Sequence, residues 1–123
     1  MSTPQSVTEL FALDDLLDAD EKAIVDTVRE FGAKRLRPNV ADWFESGELP
    51  VRELAGELGG LGLFGMHLEG YGCAHTSATS YGLACLELEA VDSGLRSFVS
   101  VQGSLSMFAI RAFGSEEQRT EWL

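Results

Sequence analysis

An all-α domain is what this chain predicts, and three observations carry that expectation. Apolar residues recur at three- and four-residue steps along most of the sequence. Two helix-start signatures stand in it, Asp18 with Glu21 and Ser115 with Gln118. No segment alternates apolar and polar residues with the period of two that a half-buried strand requires. The expected architecture is a bundle of about six helices over residues 14–123.

Residues 1–13 carry Ser, Thr, Pro and Gln and no basic cluster leading into an apolar run, so they read as a short mobile leader and not as a secretory signal. The Asp18–Glu21 capping box starts the first helix. Ile24, Val25, Val28 and Phe31, then Arg35 and Leu36, line one side of it, while Asp20, Lys22, Asp26, Arg29 and Glu30 take the other. Lys34, Arg35 and Arg37 near its end suit the helix dipole. Pro38 removes a donor and ends or kinks this helix, and Val40, Ala41, Trp43 and Phe44 continue the pattern to a stop at Gly47.

Pro50 opens a second helix with Val51, Leu54 and Leu58 on one face, and Gly59-Gly60 closes it. Over residues 79–91 a third pattern turns Leu83, Ala84, Leu88 and Val91 inward, with Gly94 placed as its stop. Residues 95–103 and 105–113 read as two further helical pieces, the second ended by Gly114. The Ser115–Gln118 box starts a last helix at Glu116. This helix reaches Trp122-Leu123 with no C-cap, so the chain reads as the N-terminal part of something longer.

Nine Lys plus Arg against twenty Asp plus Glu give a formal charge of −11, a field that repels phosphate backbones and anionic lipid surfaces. Nucleic acid is therefore an unsuitable partner. The longest uncharged stretch, residues 70–86, is rich in Gly, Ser, Thr and His and cannot span a bilayer. A domain this size buries roughly two-thirds of its unfolded surface and needs no staple. Cys73 and Cys85 are accordingly expected as free thiols in a cytoplasmic setting.

Gly60, Gly62 and Gly65 satisfy the G-x-G-x-x-G spacing. A dinucleotide fingerprint must follow a strand and open a helix, whereas here a helical pattern precedes it, so a tight helix exit is the expected role. His67, His75, Cys73 and Cys85 lack the close spacing that sets two ligands on one ion, and no metal is expected. Neither histidine stands in a recognisable nucleophile or base context.

The informative segment is 93–113. Between Asp92 and Arg111 its one charged residue is Arg96, set among Leu95, Phe98, Val99, Val101, Leu105 and Met107. Ser93, Arg96, Ser97, Ser100, Gly103 and Ser104 fall at helical steps and form one polar strip on an apolar helix. A guanidinium with hydroxyls along one face is the composition of an anion cradle: the planar fork donates two parallel bonds to a carboxylate, and Ser100 adds a third donor. The plain alternative is an i,i+4 ion pair between Asp92 and Arg96, with Glu87 and Glu89 as solvated helix positions.

The run from Glu87 through Glu89, Asp92, Arg96, Ser97 and Ser100 to Met107, the stretch Gly70-Tyr-Gly-Cys-Ala74 and the turn Gly114-Ser-Glu-Glu-Gln-Arg119 together resemble the acyl-CoA dehydrogenase family, and within it the glutaryl-CoA type. The likeness covers residues 14–123. It implies an all-α N-terminal domain followed, in full-length members, by a β-domain and a C-terminal helical domain that together hold FAD.

The implied reaction is α,β-dehydrogenation of an acyl thioester, with a carboxylate of the C-terminal domain as base and hydride passing to the flavin. Glutaryl-type members then lose the distal carboxyl and leave crotonyl-CoA. Arg96 matches the arginine that holds the distal carboxylate, Ser100 a serine that assists it, and Glu89 the acid beside that pocket. With Ser97 these are the implied substrate-binding residues. Leu95 and Phe98 depart in bulk from other members. The resemblance further implies glutaryl-CoA as substrate, electron-transfer flavoprotein or a similar acceptor, and a homotetramer when full length. The catalytic base has no counterpart here, so the chain alone is expected to be inactive. The other reading of the residues is a non-catalytic acidic helical interaction module, or a decayed enzyme fragment.

Overall fold

The structure, a computed structural model, describes residues 12–123. The leader expected over residues 1–13 lies almost wholly outside the described residues. Every regular element among them is helical. A 3-10 turn at Leu13–Leu16 precedes α1 (Ala19–Phe31), α2 (Val40–Ser46), α3 (Val51–Gly60), α4 (Ala78–Glu89), α5 (Ser93–Val101), α6 (Phe108–Phe113) and α7 (Glu116–Trp122). One-turn π-helices at Gly32–Leu36 and Gln102–Met107 prolong α1 and join α5 to α6.

The capping box forms as the spacing predicts: the Glu21 amide donates to Asp18 Oδ1 at 2.8 Å, and the Asp18 amide donates to Glu21 Oε2 at 3.1 Å. Val25 and Val28 then face inward, and the adjoining π turn carries Leu36 to full burial. Pro38 stands in the three-residue break before α2, where its missing donor costs no helical bond. Helix α2 stops at Gly47, whose φ of +69° is the left-handed C-cap that lacks a side-chain penalty.

Core residues come from every long helix. Val28 and Leu36, Leu54 and Leu58 of α3, Leu63 and Met66 of the loop after it, Ala84 and Leu88 of α4, and Leu95 and Val99 of α5 form one buried cluster. On α4 the inward stripe is Ser80, Ala84 and Leu88, a strict four-residue ladder, so Leu83 and Val91 are only half-buried. Arg29 of α1 clips this helix from outside, donating from Nη2 to Glu87 Oε1 at 2.8 Å and from Nε to Oε2 at 3.1 Å. Glu87 is therefore an interhelical partner and not a solvated position.

Two expectations are corrected. Gly94 does not end α4, which stops at Glu89; it lies in the first turn of α5, because Asp92 restarts the helix by accepting the Gly94 and Leu95 amides at 2.8 and 3.1 Å. The pieces expected at 95–103 and 105–113 are one helical run from Ser93 to Phe113, with a π turn where a break was expected. Leu95, Val99, Gly103 and Met107 all face inward along it, so burial carries the helix through the polar residues between them. Beyond Gly114 the second capping box forms as read, with the Ser115 amide donating to Gln118 Oε1 at 2.8 Å. No helix among the described residues is long and apolar enough to cross a membrane.

Candidate functional site

A three-residue link, residues 90–92, folds α5 back along α4. Glu89 is the last residue of α4, where the negative end of the helix dipole disfavours a carboxylate unless a cation offsets it. Arg96, one turn into α5, supplies that cation: its Nε donates to Glu89 Oε2 at 2.7 Å and its Nη1 to Ser100 Oγ at 3.2 Å. The Ser93 hydroxyl donates to the other Glu89 oxygen. Ser100 Oγ donates in turn to the Ser97 carbonyl at 3.3 Å.

The four sequence-predicted residues thus come together, with roles the sequence could not assign. Glu89 orients Arg96 from the Nε side. Ser100 accepts from Arg96 and spends its own proton on a backbone carbonyl, so it braces the guanidinium and is not the free third donor that the sequence suggested. Ser97 takes part through that carbonyl. Asp92 is absent from the cluster: an N-cap carboxylate is already committed to two amides, so the i,i+4 pair with Arg96 does not form.

Electrostatics follow from these contacts. The bond from Arg96, followed by that from Ser93, holds the Glu89 carboxyl below its ordinary range, and Glu89 in turn raises the Arg96 guanidinium further. The Arg96 side chain retains 34% of its exposure, and Nη2 receives no acceptor among the described residues. The assembled group is a neutralised pair with one edge of the fork free, able to take a carboxylate end-on.

Beside it runs a feature that the sequence reading missed. Tyr81 and Cys85 stand two turns and one turn before Glu89 on the same face of α4, and the Tyr81 hydroxyl meets Ser104 Oγ at 2.9 Å. Burial pushes both the Tyr81 phenol and the Cys85 thiol up from their ordinary values. The Tyr81–Cys85–Glu89 spacing was the available signal, but only the partner helix gives it meaning. His67 packs its ring 4.9 Å from that of Tyr81, with its Nδ1 buried and unpartnered.

The glycine run is built as a helix exit. Gly62 and Gly65 have φ of +73° and +64°, and a Cβ on Gly65 would stand 2.7 Å from Met107 Cε. After Gly65 the chain enters a turn and not a helix, so no dinucleotide cradle forms there. Cys73 and Cys85 are both free, Cys73 in the loop and Cys85 within α4. His75 is an exposed loop residue, and no group of three or more potential metal ligands gathers among the described residues.

The family model for the acyl-CoA dehydrogenase N-terminal domain matches residues 18–123. This chain belongs to the acyl-CoA dehydrogenase family. The crystal structure of a glutaryl-CoA dehydrogenase from Mycobacterium smegmatis superposes with a TM-score of 0.93 at 60% identity, covering 98% of this chain and 31% of that one. A second structure of a glutaryl-CoA dehydrogenase from that organism, in complex with FADH2, gives 0.89 at 68% identity over 93% of this chain and 29% of that one. The human mitochondrial short-chain specific acyl-CoA dehydrogenase is 30% identical over 108 residues, 87% of this chain and 26% of that protein. This acyl-CoA dehydrogenase domain therefore spans about a third or less of the relatives it matches.

Proposed function

We propose that this domain forms the acyl-carboxylate end of an FAD-dependent dehydrogenase acting on glutaryl-CoA, with α,β-dehydrogenation and decarboxylation to crotonyl-CoA carried out by the complete enzyme. One observation carries the reading. Arg96 is held rigidly by Glu89 and Ser100 yet keeps Nη2 free and accessible, which is the geometry of a receptor for a distal carboxylate and has no use for a plain fatty acyl chain. The identities of 60% and 68% to two glutaryl-CoA dehydrogenase structures support the same substrate class.

The residues named here are assigned to the acyl group, and the one glycine run with nucleotide spacing is packed against Met107. Flavin and base are assigned to the β- and C-terminal domains of the full-length enzyme, and the electrons to electron-transfer flavoprotein or a similar acceptor. A homotetramer in the cytoplasm completes the proposal; two free thiols support a reducing compartment.

The test is substrate selectivity in the enzyme expressed from the complete reading frame. Arg96→Gln removes the fork, and the ratio of kcat/KM for glutaryl-CoA to that for butyryl-CoA is expected to fall by about 10- to 100-fold, the cost of losing a charge-assisted pair. An unchanged ratio would overturn the reading.

A further inference from the structure

Helices α4 and α5 run antiparallel about the turn at 90–92, and their facing polar residues repeat every fourth position on both. Glu89 pairs with Arg96, Tyr81 pairs with Ser104, and the same register sets Cys85 opposite Ser100. The two hydrogen-bonded rungs bracket the site. One is the ion pair itself; the other lies two turns away, with its serine inside the π turn Gln102–Met107.

That location matters because of what a π turn is. It holds one residue more than an α-helical turn, and its position along the helix is set by tertiary contacts and not by its own weak bonds. Were the extra residue to move toward α5, Ser100 and Arg96 would rotate about the helix axis, and Arg96 Nε would leave Glu89. Besides the burial of Met107 at its end, two contacts hold the turn where it is. Gly103 packs on the loop so closely that a Cβ there would stand 3.0 Å from the Gly65 amide nitrogen. The Tyr81 hydroxyl bonds Ser104, while the Tyr81 ring is itself backed by His67. The second of these is a single polar bond at a half-buried site, and a single substitution removes it without changing the packing.

We propose that Tyr81, through Ser104, is a positioning residue for Arg96. It fixes the register of the π turn and thereby the direction of the guanidinium edge, so that the enzyme selects acyl thioesters ending in a carboxylate. The inference rests on the proposed role of Arg96 and adds to it the residue that aims the fork. In this role Tyr81 and Ser104 act on selectivity through the helix that carries Arg96 and Ser100.

The experiment measures kcat/KM for glutaryl-CoA and for butyryl-CoA in the flavin-loaded enzyme from the complete reading frame, with Tyr81→Phe, Ser104→Ala and Ser104→Thr. The ratio of glutaryl- to butyryl-CoA is expected to drop about fivefold in Tyr81→Phe and in Ser104→Ala, the equivalent of one neutral hydrogen bond. The drop should be no larger in the double variant, and Ser104→Thr, which keeps the hydroxyl, should restore the ratio. A merely structural role would lower both thioesters alike and leave the ratio where it was, which overturns the proposal. If Tyr81→Phe fails to fold, the Ser104→Ala and Ser104→Thr pair decides by the same ratio. A wild-type enzyme with no preference for glutaryl-CoA defeats the reading of Arg96 and this role with it. A wild-type preference that survives all three variants defeats the positioning role alone.

Discussion

Glu89 occupies a position that its own helix disfavours, and its ionisation is stabilised by Arg96 and Ser93 across the turn. Because the carboxyl lies lower in the folded state than in the unfolded one, its contribution to stability is complete above the unfolded value, about 4.3. That contribution is lost as pH falls through the depressed folded value. Glu89→Gln lacks the ionisation altogether. The wild type should therefore unfold at a higher temperature than Glu89→Gln near neutral pH, and the gap should close in the acid range. Thermal unfolding followed from pH 7 down to about pH 3 checks this, spanning the ordinary carboxyl range. A gap that is constant with pH would mean that the Arg96 bond does not depress the carboxyl. Since both side chains are substantially exposed, salt should shrink the gap as well.

At the scale of elements, the start of α5 separates two uses of Asp92. As an N-cap it satisfies the Gly94 and Leu95 amides, and Asp92→Ala should cost about 1 kcal/mol in denaturant unfolding. The glutaryl-CoA selectivity proposed for the complete enzyme should persist in that variant, because Arg96 takes its anion from Glu89; a loss of selectivity to match Arg96→Gln would restore Asp92 as the partner. The sequence offered Asp92 only as an i,i+4 partner for Arg96, a real opportunity on a helix that the local capping of the Gly94 and Leu95 amides pre-empts. Elements set by local rules were legible for the same reason. The Asp18–Glu21 and Ser115–Gln118 boxes are decided within four residues, and both form where they were read. The π turn at Gln102–Met107 was not legible, because it is held by the Gly65 backbone and by Tyr81, 38 and 23 residues from Gly103 and Ser104 along the chain. The composition of the site was visible as Arg96, Ser97 and Ser100 on one helix. Its wiring was not: Glu89 and Arg96 lie on different helices, and only the antiparallel turn brings them together.

For the whole molecule, the deciding balance is between charge and uncovered apolar surface. The net charge of −11 keeps copies apart. Against it stand Phe44 and Phe113, each 85% exposed, with Leu105 and Trp122 above 60%, a degree of exposure that large apolar side chains of a self-sufficient domain seldom show in such number. The relatives in which this fold is found extend it roughly threefold in length, and a domain cut from such an assembly presents the faces that the rest would cover. A purified 123-residue chain should therefore bind an apolar dye while keeping its helical signal, and should associate more strongly as salt screens the repulsion between copies. The same sample should show no flavin absorbance and no reduction of an electron acceptor with glutaryl-CoA. Dye fluorescence, sedimentation at low and high salt, and a visible spectrum test these together. A monomer that binds no dye at any salt would mean that these side chains cover one another, and the surface would then belong to a self-contained module. Turnover by the chain alone would show that the helix pair carrying Glu89 and Arg96 is part of a complete active site.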